Sequence, residues 1–180
     1  TTTMNKPIII AEVDNLVYNT AAAVTNLLND EYNTSYNELE FYGDRFKSVI
    51  KDDYDSHIVA AINSVGICGL AEKREGGDEL QALLDVNTTI TVSLSRAYKN
   101  RTPIKERDMK NIKEPTIYIG TDYETCVEMP TKLRILVKFG VEHKHNRVVG
   151  NEDNFYIVNG LQEAVEVLNF YIEHPEMIYY

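Results

Sequence analysis

Two carboxylates with strand spacing, Glu12 and Asp14, stand near the start of the chain. They follow residues 8–11, a short run of Ile-Ile-Ile-Ala that is typical of a strand buried on both faces. Because side chains alternate along a strand, Glu12 and Asp14 point the same way, while Val13 points into the core. Open α/β sheets bind ligands at the carboxyl ends of their strands, so this pair is the first candidate site.

Residues 12–20 read Glu-Val-Asp-Asn-Leu-Val-Tyr-Asn-Thr. This stretch resembles the first motif of the haloacid dehalogenase (HAD) superfamily of phosphohydrolases. It is most similar to the 5'(3')-deoxyribonucleotidase branch, in which the strand ends in Asp-x-Asp-Gly-Val-Leu-x-Asn/Asp-Thr. The first Asp of that motif is the family's nucleophile, and this chain has Glu12 in its place. The resemblance implies an HAD-like three-layer α/β sandwich with a central, mostly parallel sheet and a small helical cap insert.

Two further positions match the family's motifs. Ser93, with Ser95 as the alternate, closes a β-branched, alternating run, where the family places a hydroxyl that binds a phosphate oxygen. Asp122 follows the apolar run 116–120 and matches the second acid of the fourth motif, whereas Thr121 replaces the first acid. In an active enzyme the resemblance implies that Glu12, Asp14 and Ser93 carry the reaction. It also implies that Glu12, Asp14 and Asp122 hold Mg²⁺.

The departures from the family pattern predict impaired chemistry. Glu in place of Asp moves the carboxylate by about 1.5 Å, and a misplacement of about 1 Å costs on the order of 100-fold in rate. Thr121 removes a charge from a hard-cation site, and no residue matches the family's third-motif Lys. The favoured hypothesis is a catalytically impaired HAD-like protein that acts by binding, with no required cofactor. The alternative is a divergent Mg-dependent 5'(3')-deoxyribonucleotidase or phosphatase.

Hydrophobic periodicity predicts the elements that position these residues. Strands are predicted at 7–13, 88–94, 115–120, 133–139 and 155–158, in one mostly parallel sheet with the first strand central. Helices are predicted from Asn19 or Thr20 to Asn33, after a cap at Asp78, and over 159–172. The predicted core domain comprises residues 1–17 and 88–180, and residues 18–87 form a helical, cap-like insert or, alternatively, a plain helical crossover.

A basic segment on an acidic chain is the candidate contact surface. The formal net charge is -10, which argues against direct binding of nucleic acid. Seven cations nevertheless cluster in one span: Arg96, Lys99, Arg101, Lys105, Arg107, Lys110 and Lys113. We expect this segment to contact a protein partner; a solvated linker is the alternative. A phage-encoded regulator of host machinery, for example of host transcription, is the concrete version of the hypothesis, and a bound nucleotide is compatible with it.

Other polar residues give no comparable pattern. Cys68 and Cys126 are isolated in the sequence, which predicts two reduced, buried thiols in a cytoplasmic protein. His143 and His145 lack a third ligand at metal-binding spacing and are interpreted as part of a polar loop. No apolar run approaches the ~20 residues that span a bilayer, and no signal-peptide pattern is present.

Overall fold

The computed structural model describes residues 6–12, 15–38, 60–61, 64–65, 69–92, 112–140 and 154–179. Five strands form one sheet: β1 (Ile8–Glu12), β2 (Thr89–Val92), β3 (Thr116–Gly120), β4 (Leu133–Lys138) and β5 (Phe155–Asn159). Their order is β2-β1-β3-β4-β5, and every neighbouring pair is parallel. The predicted α/β class and parallel sheet are confirmed. β1 is an interior strand, although β3 is the middle one.

Four α-helices and one 3-10 helix lie among the described residues. They are α1 (Thr20–Tyr32), α2 (Gly77–Asp85), α3 (Tyr123–Glu128), α4 (Leu161–Glu173) and the 3-10 helix Pro175–Tyr179. Asn19 caps α1 by accepting from the Ala22 N–H, and Asn33 ends it in the left-handed conformation, as predicted. The predicted cap at Asp78 is wrong. Gly76 precedes α2, and Asp78 pairs with Lys73 from its first turn.

Helices cover both faces of the sheet. Alternate residues, such as Ile9 on β1 and Ile117 on β3, pack against α2 and α4. The intervening Ile10 and Tyr118 face the opposite way, where Cys126 of α3 lies. Burial on both faces explains why β1 and β3 read as continuous apolar runs instead of alternating ones.

The interval 18–87 contains two kinds of packing. α2 contributes Leu80 and Leu84 to the same hydrophobic cluster as the sheet. α1 instead packs in a smaller cluster with Ala61 and Val65. Because residues 39–59 and several after them lie outside the described part, the boundaries of the predicted insert stay a prediction.

The cysteines, the C-terminal segment and the helix lengths complete the description of the fold. Cys126 is a free, fully buried thiol, as predicted, whereas Cys68, His143 and His145 lie outside the described residues. The 3-10 helix docks on the core through Ile178, which is 1% exposed. None of the helices in the described part of the chain has the length and apolar character needed to cross a bilayer.

Candidate functional site

The first candidate site lies where the chain changes direction across the sheet. From β1 the chain passes to β2 on one side and then to β3 on the other side of β1. Such a reversal opens a crevice at the carboxyl ends of the two strands in most open α/β sheets, and ligands bind there. Glu12 is the last residue of β1, and Thr121 directly follows β3. The pair therefore occupies the position at which a ligand is expected.

The Glu12 carboxylate is bonded across this crevice to Thr121. The Thr121 N–H donates to Glu12 Oε2 at 2.8 Å, and the Thr121 hydroxyl donates to Glu12 Oε1 at 2.7 Å. Both residues are 2% exposed. Hydrogen bonds to a buried carboxylate are stronger than neutral ones, so this clamp fixes the ends of β1 and β3 relative to each other.

Gly120 and Tyr118 complete the packing around the clamp. A Cβ added at Gly120 would collide with the Tyr118 hydroxyl and lie 2.8 Å from Glu12 Oε2. Tyr118 is fully buried, and its pKa is raised well above the ordinary value, first because burial disfavours the phenolate and then because Glu12 is negatively charged. Thus only glycine fits at position 120, where the phenol and the carboxylate converge.

Asp122 has a structural role in the same region. Its Oδ2 accepts from the Thr125 N–H at 2.9 Å and from the Thr125 hydroxyl at 2.5 Å, which caps α3. Asp122 is 3% exposed. This short helix has no hydrophobic periodicity long enough to predict it. The sequence does contain one signal for it, an Asp followed three residues later by Thr, because the Asp carboxylate can accept from both the N–H and the hydroxyl of that Thr.

The remaining predicted site residues are not brought together by the described structure. Asp14 and Ser93 lie outside the described residues. Within the described ranges no group of three His, Cys, Asp or Glu side chains is arranged to hold a metal ion, and the magnesium site stays a prediction because Asp14 belongs to it. Of the basic segment only Lys113 is described, and it is exposed in the loop before β3.

Arg74 is a residue at this edge that sequence reasoning missed. Its Nη2 donates to Asn15 Oδ1 at 2.7 Å and its Nε to the Asn15 carbonyl at 3.2 Å. The guanidinium also lies 3.7 Å from the centroid of the Phe139 ring. Asn15 has a positive φ of 65° and receives the Ala21 N–H on its side-chain oxygen. Arg74 thus holds the loop after β1 across 59 residues of sequence, a distance that no local pattern reveals.

Two clefts among the described residues include side chains from the carboxyl edge of the sheet. One, of about 290 Å³, lies between β1, β2 and α2 and is lined by Glu12, Tyr18 and Thr91 among others. The other, of about 400 Å³, lies between Arg74, Phe139 and the start of α4. The first adjoins the Glu12 clamp, and the second lies beyond the ends of β4 and β5.

No protein-family model matches the chain, and no curated protein matches it significantly. The comparisons therefore assign the chain neither a family nor a function.

Proposed function

We propose that the protein is HAD-like in fold and acts by binding a protein partner, without catalysing phosphoryl transfer. The observation that carries the proposal is the clamp: both oxygens of Glu12 accept hydrogen bonds from Thr121. The residue at the position of the family's nucleophile is thus committed to holding two strands together.

A nucleophilic carboxylate needs an oxygen that is free to approach phosphorus. Each carboxylate oxygen has two lone-pair positions, so one hydrogen bond does not exhaust it, but the two bonds to Thr121 fix the direction of the Glu12 carboxylate. An attack that needs the carboxylate to turn would break at least one of these bonds, each of which contributes about 1.5–3 kcal/mol. That loss would be added to the barrier, where each ~1.4 kcal/mol costs tenfold in rate. The hydrogen bonds to Thr121 and the extra methylene of Glu12, which displaces its carboxylate relative to the family's Asp, both lower the expected rate of phosphoryl transfer.

The strand order supports the HAD-like part of the proposal. β1 lies between β2 and β3, so the change of direction occurs at the strand that carries the resembling motif. The helices on both faces of the sheet are compatible with a three-layer sandwich. The cap insert and the phage origin remain parts of the proposal that rest on the sequence alone.

Activity assays test the catalytic half of the proposal. We expect no hydrolysis of p-nitrophenyl phosphate, dUMP or dTMP at saturating Mg²⁺, and no Mg²⁺ binding by calorimetry. The double variant Glu12→Asp/Thr121→Asp removes the clamp and restores both family acids, so a gain of Mg²⁺ affinity is expected there first. Turnover by the natural sequence that Asp14→Asn abolishes would overturn the proposal.

The divergent nucleotidase remains the second candidate because of the cleft beside Glu12. Its volume of about 290 Å³ is at the small end of the range for ligand sites. Calorimetry with dUMP and dTMP separates the two candidates. Binding that Thr91→Phe removes, combined with magnesium-dependent turnover, would favour the nucleotidase.

Charge reversal tests the partner-binding half. The variant Lys105→Glu/Arg107→Glu changes the basic segment, whereas Lys6→Glu/Lys132→Glu makes the same charge change at two exposed positions elsewhere. We expect only the first variant to lose an acidic protein partner at unchanged thermal stability, because segregated charge steers association. Equal retention of the partner by both variants would show that the segment is a solvated linker.

A further inference from the structure

The outer face of α4 combines acidic and aromatic side chains. Residues 163, 166, 170 and 173 share one side of a helix with 3.6 residues per turn. Glu163, Glu166 and Glu173 are exposed there, and Phe170 is 45% exposed between them. The opposite side of α4, which includes Leu168, is buried against the sheet. Phe170 therefore presents much of its ring to solvent, away from the core.

Two further exposed residues follow Phe170, one directly after α4 and one in the 3-10 helix. The His174 ring lies 4.8 Å from the Phe170 ring, and the His174 carbonyl accepts from the Met177 N–H at 3.0 Å. Met177 is 44% exposed. The His174 ring thus contacts Phe170, and Met177 follows one turn later in the chain; we call these three exposed residues the Phe170 patch (Phe170, His174 and Met177).

The charged side chains of α2, α4 and the 3-10 helix are all acidic. α2 packs beside α4, and neither helix nor the 3-10 helix contains Lys or Arg. Their exposed carboxylates are Asp78, Glu79, Asp85, Glu163, Glu166, Glu173 and Glu176. Lys73 pairs with Asp78 at 2.7 Å, and His174 lies 3.4 Å from Glu176. Most of these carboxylates are therefore left to set a negative potential over the face that bears the patch.

We propose that the Phe170 patch and its acidic surround bind a positively charged segment of a partner protein. An aliphatic or aromatic side chain of that segment packs on Phe170 and Met177, and its Lys or Arg side chains face Glu166 and Glu173. Burial of the apolar side chains stabilises the complex, and the opposite charges orient the segment and increase its association rate. The negative potential disfavours nucleic acid and anionic lipid and favours a basic protein segment.

This inference goes beyond the proposed function. The basic segment 96–113 is suited to an acidic partner, whereas the α4 face is suited to a basic one. Each surface can fail without the other, because the substitutions that test them are at different positions.

The probe is a fluorescein-labelled amphipathic peptide with Lys and Leu at helical spacing, followed by fluorescence anisotropy. We expect Phe170→Ser and Glu166→Lys/Glu173→Lys each to weaken binding at least tenfold. The control Asp30→Lys/Glu31→Lys makes the same charge change at exposed positions of α1 and is expected to stay within twofold of the natural sequence. A peptide with Glu in place of Lys should not bind.

Three results would overturn the proposal. The first is equal weakening by the α1 control, which means that the net charge of -10 attracts the peptide without a site. The second is full binding by both Phe170→Ser and Met177→Ser, which means that the patch makes no contact. The third is a natural-sequence dimer by light scattering that Phe170→Ser converts to monomer, which means that a second copy occupies the patch. Thermal unfolding establishes first that each variant is folded.

Discussion

At the scale of single residues, Glu12 shows how a carboxylate can be structural at a position that suits catalysis. Its two oxygens meet an N–H and a hydroxyl of Thr121 in a site that is 2% exposed. Neither donor requires a full charge on its partner. A side chain of the same shape with one acceptor and one donor satisfies both Thr121 groups, because the hydroxyl can also accept.

Glutamine at position 12 is therefore expected to be tolerated. In Glu12→Gln the amide oxygen accepts from the Thr121 N–H and the amide nitrogen donates to the hydroxyl, so unfolding free energy changes by less than about 1 kcal/mol. Glu12→Ala leaves the N–H unpaired beside a cavity and costs about 2–4 kcal/mol. Urea denaturation measures both. Equal losses would mean that the charge of Glu12 is required, which would point to a bound cation.

Tyr118 supplies the pH dependence expected from this region. Its folded pKa is raised above the ordinary value of 10.0, so above pH 10 the unfolded chain loses a proton that the folded protein keeps. Stability is therefore fully present below about pH 10 and falls as the pH rises further, by up to ~1.4 kcal/mol per pH unit and group. Cys126 acts in the same direction from its ordinary pKa of 9.0, since burial raises it too.

Removing the phenol should flatten this alkaline decline. Urea denaturation of Tyr118→Phe between pH 8 and 11 is expected to show a smaller loss of stability than the natural sequence. Tyr32→Phe, at a position that is 46% exposed, serves as the control and should keep the full decline. An unchanged decline in Tyr118→Phe would contradict a buried, protonated Tyr118.

At the scale of elements, the part predicted best is the part that local patterns encode. β1 and β3 are apolar on both faces, and α1 has polar caps at both ends, so their types and approximate ends follow from neighbouring residues alone. α3 was not predicted because it has only six residues, too few for a helical hydrophobic pattern, and its N-cap is the only local signal. The Arg74–Asn15 contact was not predicted because the two residues are far apart in the sequence and only the fold brings them together.

Arg74 is expected to couple the segment before α2 to the loop after β1. In that segment the Asn19 N–H donates to the Glu72 carbonyl and the Arg74 N–H to the Val17 carbonyl. Arg74→Lys keeps the charge and loses the planar fork and the stacking on Phe139. We expect a loss of about 1–2 kcal/mol and faster limited proteolysis before α2. The exposed Lys73→Arg is the control, and equal proteolysis of both variants would contradict the coupling.

At the scale of the whole molecule, the sequence identified the site region but not its internal bonding. Glu12 and Asp122 were both predicted near the carboxyl edge, and both are there. The Glu12 carboxylate accepts from Thr121, and the Asp122 carboxylate accepts from Thr125. In the family motif, Thr121 stands where an acid is expected, and Thr125 is not part of the motif. Bond partners across a sheet depend on register and on strand order, and neither follows from the spacing of residues within one strand.

The hydrophobic clusters formed by the described residues predict unequal stability across the molecule. Of these three clusters, the largest joins the sheet to α2, α4 and the 3-10 helix, whereas α1 packs in a separate cluster around Val24 and Leu28 that has fewer described members. Regions with fewer buried apolar contacts open at lower free energy. Native-state hydrogen exchange should therefore show β1, β3 and β4 exchanging only through global unfolding, and α1 exchanging through an earlier, local opening.

Two core truncations sharpen this expectation. Val24→Ala removes buried methyl groups from the smaller cluster and should lower protection in α1 while β3 keeps its exchange free energy. Leu168→Ala, in the larger cluster, should lower the exchange free energy of β3 by about 2–4 kcal/mol. It should lower that of α1 by less, since α1 is affected only if global unfolding becomes easier than its own local opening. If Val24→Ala lowers protection in β3 as much as in α1, the two clusters unfold together and α1 belongs to the same cooperative unit as the sheet.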